Sequence, residues 1–177
     1  MPSTFESTAL AGVIIIVPKL FGDARGFLME TFKRSEFEAA GLPVTLVQEN
    51  HSLSGAGTLR GLHYQRDPKA QGKLVRVIRG EIFDVAVDIR SGSPTYSQWV
   101  GVALSDSNRK SIYIPPGFAH GFCVVSPEAE VIYKTTEEYA PDHEHGIRWD
   151  DPALGITWPV TSPNLSERDK HWPPFKK

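Results

Sequence analysis

The sequence predicts a mainly β fold, a sandwich or a barrel, with a few short helices. Short β-branched and aromatic runs recur through the middle of the chain, separated by clusters of Gly, Pro, Asp and Ser. Within several runs apolar and polar residues alternate, as they do on strands whose two faces differ. Many short strands at such spacing stack as two sheets or close into a barrel.

In chain order the predicted strands are VTLVQEN (44–50), LRGLHYQ (59–65), KLVRVIRG (73–80), EIFDVAVDI (81–89), QWVGVAL (98–104), SIYIP (111–115), HGFCVVS (120–126) and EVIYKTT (130–136). In the fourth run Phe83, Val85, Val87 and Ile89 share one face, expected to be the core face, and Asp84, Asp88 and Arg90 share the other. Arg79 and Gly80 form a turn-like dipeptide, so the third and fourth runs are expected to pair as a hairpin. SEFEAAG (35–41) reads as a short helix with Ser35 as its N-cap and Gly41 as its stop, and NLSERDK (164–170) as another short turn. The C-terminal third, with Trp149, Trp158 and Trp172 among several prolines, is expected to be ordered coil wrapping the barrel. No repeat, low-complexity tract or linker interrupts the chain, and 177 residues fit one domain, 1–177.

Composition removes several function classes. Nineteen Lys and Arg against twenty-one Asp and Glu give a net charge of -2 with no basic block, so no nucleic-acid partner is expected. The longest aliphatic run, residues 13–17, falls far short of the roughly 20 residues a membrane span needs, and MPSTFESTAL lacks the order of a signal peptide. The expectation is a soluble, cytoplasmic protein without a membrane partner. The single cysteine, Cys123, cannot close a disulfide within the chain and reads as a buried structural thiol.

A small β-barrel that binds Zn, Fe or Mn draws two His and a Glu from one strand pair and another His from a later strand. GTLRGLHYQ (57–65) supplies His63, but Gln65 stands where a second His would help, and residues 66–71 contain Asp67 and no Glu. PPGFAH (115–120) supplies His120, its Pro and Gly turning the chain so that the histidine enters a strand pointing inward. Two His without anionic ligands make a poor divalent site, and His143 and His145 in PDHEHG read as a polar surface loop, so no metal is expected. No phosphate-binding loop occurs either: Gly55-Ala56-Gly57 is followed by Arg60 where a dinucleotide fingerprint needs Gly. What remains is a pocket of titratable side chains, which suits proton transfer. Lys73 shares a strand face with Val75 and Val77, and Tyr133 shares one with Val131, so both point where hydrophobes point. Taken alone, Lys73 is also consistent with a barrel-mouth ion pair, Tyr133 with a core phenol bonded to backbone, and His63 with an ordinary satisfied histidine.

Several stretches together resemble the dTDP-4-dehydrorhamnose 3,5-epimerase family, cupin-fold enzymes of deoxysugar nucleotide biosynthesis. They are FGDARGFLMETF (21–32), VQENHS (47–52), GTLRGLHYQ (57–65), QGKLVRVIRGEIFDVAVDIRSGSPT (71–95), PPGFAHGF (115–122), EVIYKTTEEYAP (130–141) and EHGIRWDDPALGITWP (144–159), in order through nearly the whole chain. The resemblance implies a cupin-type β-barrel, or jelly roll, and no cofactor. It implies a substrate, dTDP-4-dehydro-6-deoxy-D-glucose, whose C4 ketone acidifies the hydrogens on C3 and C5. Inverting such a centre takes a proton from one face and returns one to the other.

By this resemblance His63 is the base and Asp169 in LSERD is the carboxylate that fixes its tautomer, although Asp169 three residues after Ser166 also fits a helix cap. Lys73 would stabilise the enolate oxygen, an effect often worth about 3 kcal/mol or more. Tyr133, with an unperturbed pKa near ~10, would return the proton. His120 would lie near the ketone or the sugar hydroxyls, with support from Asp84 left open. The nucleotide end falls to Arg25 and Glu30, to Gln48, Glu49 and Asn50, and to Arg60, which can grip phosphate oxygens bidentately. Tyr139 matches a base-stacking tyrosine and Glu144 a further substrate contact. Arg168 stands where the family usually has Lys, so binding should persist while any role needing a Lys point charge would not. Arg60 and His63 lie an odd number of positions apart, which a regular strand sends to opposite faces, so either an irregularity near Gly61 or an Arg60 that reaches a neighbouring region is expected. The family forms homodimers by strand exchange, and its first motif can complete the partner's site.

The resulting expectation is epimerisation at C3 and C5 to give dTDP-4-dehydro-L-rhamnose. The alternatives are a relative inverting one centre only, a metal-dependent cupin oxygenase, disfavoured by Gln65 and the missing Glu, and a non-catalytic sugar-nucleotide binding protein.

Overall fold

The computed structural model describes residues 3–176. The strands are β1 (Thr4–Ser7), β2 (Ile14–Val17), β3 (Leu20–Asp23), β4 (Gly26–Met29), β5 (Gln48–Gly55), β6 (Leu59–Gln65), β7 (Lys73–Arg79), β8 (Glu81–Asp88), β9 (Trp99–Ser105), β10 (Ser111–Ile114), β11 (Phe118–Val124), β12 (Glu128–Thr135) and β13 (Glu144–Gly146). Two short α-helices, α1 (Arg34–Ala39) and α2 (Glu167–Lys170), and a 3-10 turn at Pro141–His143 complete the regular structure of the described residues. Six strands form one antiparallel sheet in the order β1-β2-β10-β7-β12-β5, five form a second in the order β13-β6-β11-β8-β9, and β3 and β4 pair as a separate hairpin. This is the cupin-like jelly roll expected from the sequence.

Between β5 and β12 the chain passes back and forth between the sheets, and only β8 and β9 are neighbours both in sequence and in a sheet. The hairpin expected of residues 73–80 and 81–89 is therefore absent: β7 pairs with β10 and β12, whereas β8 pairs with β11 and β9. Gly80 is a corner rather than a reversal. Its φ is +79°, and a Cβ there would lie 2.1 Å from the Glu128 carbonyl oxygen, so only glycine lets the chain cross to the other sheet here.

The core has three layers. Between the sheets lie Val75 and Val77 from β7, Ile82 and Ala86 from β8, Phe118 and Phe122 from β11, and Val131 from β12. Outside the six-stranded sheet, α1 packs Phe37 on Ile16, Leu74 and Tyr113. Outside the five-stranded sheet, Leu154, Ile156, Trp158 and Phe175 cover Val85 and Val87, so the C-terminal coil does wrap the barrel. Leaving Val85 and Val87 bare would cost about 1.5–3 kcal/mol each, which makes this coil part of the fold.

That layer reverses one expectation. The apolar face of β8 looks outward under the C-terminal coil, and the face bearing Asp84 looks into the barrel, which is how a carboxylate reaches the interior. Two smaller corrections concern element ends. Residues 44–47 are coil rather than strand, with Val44 and Leu46 packed beside α1, and β5 instead runs on to Gly55. Lys33, not Ser35, occupies the N-cap of α1, while Gly41 beyond its end has the expected positive φ of +70°. No helix among the described residues is long and apolar enough to cross a membrane.

Candidate active site

Of the two alternatives for Arg60 and His63, the irregularity in β6 is the one present, and it assembles the site. Opposite β6, β11 pairs His120 with His63 but Phe122 with Arg60, so three steps on β6 face two on β11. The extra residue is a bulge, and with it Arg60 and His63 line the same cavity despite their odd spacing. Two glycines permit the close crossing: a Cβ on Gly61, whose φ is +140°, would lie 2.5 Å from the Gly121 Cα. The Gly61–Leu62 peptide is cis.

The cavity, about 340 Å³, opens between the sheets and carries His63 and Arg60 from β6, His120 from β11, Lys73 from β7, Tyr133 from β12 and Asp169 from α2. His63 Nε2–H donates to Asp169 Oδ1 at 2.5 Å across 106 residues of sequence. Asp169 is held there by its own helix. Ser166 caps α2 by accepting from the Asp169 backbone N–H, so the capping and pairing readings of this segment both hold, and Trp172 Nε1–H donates to the same carboxylate oxygen at 3.1 Å. Burial pushes the His63 pKa below its usual value, more strongly than the Asp169 bond raises it. Burial acts to raise the Asp169 pKa, but the bonds from His63, Trp172 and Ser166 outweigh it and hold the carboxyl low. The result is a neutral imidazole against a carboxylate, with Nδ1 left to accept a proton.

A second histidine–carboxylate pair lies deeper. His120 Nε2–H donates to Asp84 Oδ2 at 2.9 Å, which answers the open question about Asp84, whose other oxygen is buried without a hydrogen-bond partner among the described residues. Lys73 sits in the cavity wall, where burial brings its ammonium pKa down to about 8 against the opposing fields of Asp84 and Glu144. Burial also raises the Tyr133 phenol above its ordinary value, so it stays protonated at neutral pH.

Among the described residues no three His, Cys, Asp or Glu side chains converge as a metal-binding group. A sequence model of the dTDP-4-dehydrorhamnose 3,5-epimerase family matches residues 7–177. The chain belongs to that family. A relative named dTDP-4-dehydrorhamnose 3,5-epimerase from Methanothermobacter thermautotrophicus is 54% identical over 98% of this chain and 95% of its own length. A Streptomyces niveus relative, named dTDP-4-dehydrorhamnose 3-epimerase, is 43% identical over 91% of this chain and 78% of its own. The crystal structure of a Legionella pneumophila 3,5-epimerase in complex with dTDP-4-keto-L-rhamnose superposes with a TM-score of 0.90 at 44% identity, covering 99% of this chain and 100% of that one.

Most of the residues that the family pattern assigns to the nucleotide end of an epimerase also meet at this cavity. Gln48 and Asn50 project into it from β5, Tyr139, Glu144 and Arg168 form one rim, and Arg60 is steadied by Ser54 Oγ, 3.0 Å from its Nε and Nη2. Glu144 Oε2 accepts from both the Tyr139 hydroxyl and Arg168 Nη1, so Arg168 holds a rim carboxylate. Three predicted residues lie elsewhere in this chain. Arg25 pairs with Asp23 on the β3–β4 hairpin, Glu30 lies by Lys33, and Glu49 points out of the barrel to Lys134, as alternation along β5 requires. Sequence reasoning also passed over Gln65 and Gln71, which line the cavity, and Trp172 behind Asp169. Gln65 was open to discovery, since it shares a strand face with His63.

Proposed function

We propose that the chain inverts C3 and C5 of dTDP-4-dehydro-6-deoxy-D-glucose to give dTDP-4-dehydro-L-rhamnose, with no cofactor. One observation carries the reading: His63 and Tyr133 enter one cavity from facing sheets, so a base and an acid meet a sugar ring from opposite sides. His63 Nδ1 removes the proton next to the ketone, and Asp169 stabilises the imidazolium that forms. The electron pair moves onto the ketone oxygen, where the Lys73 ammonium balances the charge. Tyr133 returns a proton to the carbon from the other face, then regains one from solvent as His63 releases its own. His120, oriented by Asp84, holds the ketone or a sugar hydroxyl. Arg60 takes the diphosphate, Gln48 and Asn50 line its path, and Tyr139 stacks on thymine beside Glu144 and Arg168.

The same proposal includes a cytoplasmic homodimer in which Arg25 and Glu30 serve at the partner's site. Their exclusion from this chain's cavity supports it, as does the bare apolar hairpin around Arg25, where Leu28 is 71% exposed. Incubation with the 4-keto sugar nucleotide in D2O tests the chemistry. Deuterium at both C3 and C5 is expected. Label at one centre would favour the single-centre reading, to which the relative named a 3-epimerase gives weight, and no label would end the epimerase assignment.

A further inference from the structure

The rim segment 137–140 has no strand to hold it, yet every one of its residues is tied to a glutamine. Gln71 Nε2–H donates to the Glu137 carbonyl at 2.6 Å. Gln65 Nε2–H donates to the Glu138 carbonyl at 3.1 Å and to that of Lys69 at 2.7 Å, while its Oε1 accepts from the Ala140 N–H at 2.8 Å. Gln48 Oε1 accepts from the Tyr139 N–H at 2.8 Å, and its Nε2 donates to Asn50 Oδ1 at 3.0 Å. For Gln65 only one amide orientation satisfies all three partners, since two are carbonyls and one is an N–H. Gln65 belongs to the five-stranded sheet and Gln48 to the six-stranded one, so the peptides on either side of Tyr139 are fixed to both walls of the barrel. The Tyr139 ring itself is half exposed, and its hydroxyl donates to Glu144.

We propose that Gln65 is a positioning residue for the nucleotide end of the substrate, acting through Tyr139. This rests on the proposed placement of the nucleotide base against Tyr139. Gln65 is buried, and both its donors and its acceptor are committed to backbone. With both N–H donors spent on backbone carbonyls, its side chain has no donor left for the sugar, and its effect reaches the ligand by fixing where the Tyr139 ring can stand. An exposed aromatic ring on an unpinned loop loses its orientation on binding and contributes less affinity. The position two residues after His63, which could have held a second metal-binding histidine, thus serves the opposite end of the cavity from the chemistry.

The test measures dTDP affinity, epimerisation kinetics and thermal unfolding for Gln65→Met, which keeps length and volume and removes all three bonds, with and without Tyr139→Ala. The expectation is a Kd for dTDP and a KM raised about tenfold, the scale of one base–aromatic stack, with kcat within about twofold. In the Tyr139→Ala background the Gln65→Met substitution should add less than about twofold, because the ring it positions is gone. A folded Gln65→Met protein with unchanged Kd overturns the proposal, and so does a loss that multiplies with that of Tyr139→Ala, or a fall in kcat with KM unchanged. If Gln65→Met does not fold, Gln65→Glu replaces it: the acceptor for Ala140 remains, but at neutral pH a carboxylate faces two carbonyls. Its dTDP affinity should be low there and recover, relative to wild type, as acid restores an O–H donor; pH-independent affinity equal to wild type overturns the proposal. Failure of the unsubstituted protein to bind dTDP at all would instead refute the nucleotide reading on which this one stands.

Discussion

Two histidine–carboxylate pairs stand in one barrel, and they are built differently. In the outer pair His63 is 19% exposed at the cavity and its partner Asp169 comes from a helix outside both sheets, with Trp172 as a second donor to the carboxylate and Ser166 capping that helix. In the inner pair His120 is 8% exposed, Asp84 is wholly buried on β8, and one oxygen of that carboxylate has no hydrogen-bond partner among the described residues. A carboxylate with several donors is a fixed counter-charge that holds its histidine in one tautomer. A carboxylate with a free oxygen and a cation in its field does something else: Asp84 orients His120 and at the same time helps Lys73 keep its proton. On the proposed mechanism identical residue types thus serve proton removal in one place and charge stabilisation in the other.

The hardest test of that division is His63→Ala, which should lower epimerisation and deuterium exchange by about 10³-fold or more, the contribution of a positioned general base. Exchange at the unsubstituted rate would remove His63 as the base. Asp169→Asn should cost on the order of 10²-fold, toward the lower end of what such a group supplies, whereas Asp84→Asn, which keeps volume and an acceptor for His120, should cost only about tenfold. Equal losses in a kcat comparison would show that the two pairs are not functionally distinct. The subtlest effect is in pH. His63 must be neutral, so activity rises with pH through an imidazole pKa that burial holds below 6.5; Lys73 must be charged, so activity falls as pH passes about 8. Asp84→Asn removes a field that holds the proton on Lys73 and should move the basic limb to lower pH. Asp169→Asn should move the acidic limb to lower pH, because it removes the bond and charge that favour the imidazolium. Profiles in which each substitution moved the other limb would reverse the assignment.

Much of this arrangement was readable from residue order. Alternation placed Lys73 with Val75 and Val77, and Tyr133 with Val131, on the interior face where they are found. The odd spacing of Arg60 and His63 pointed to a bulge or to a displaced arginine, and the register of β6 against β11 shows the bulge. The failures share a cause, since pairing across a jelly roll is non-local and a dipeptide such as Arg79-Gly80 looks the same at a reversal and at a corner. For the same reason the periodicity of β8 showed two faces but not which one a distant coil would cover. Glutamine carries no charge and no periodic signature, so the ties from Gln48, Gln65 and Gln71 to the Tyr139 segment become visible only once three distant strands are assembled.

The contact between His63 and Asp169 also has a meaning in time. Synthesis runs from the N-terminus, so all thirteen strands have been made before the carboxylate that completes the pair exists. A nascent chain stalled before Ser166 would carry the strands, the lysine and the tyrosine, and would lack the counter-charge for His63. On the proposed mechanism the full rate of proton removal thus waits until residue 169 has been made.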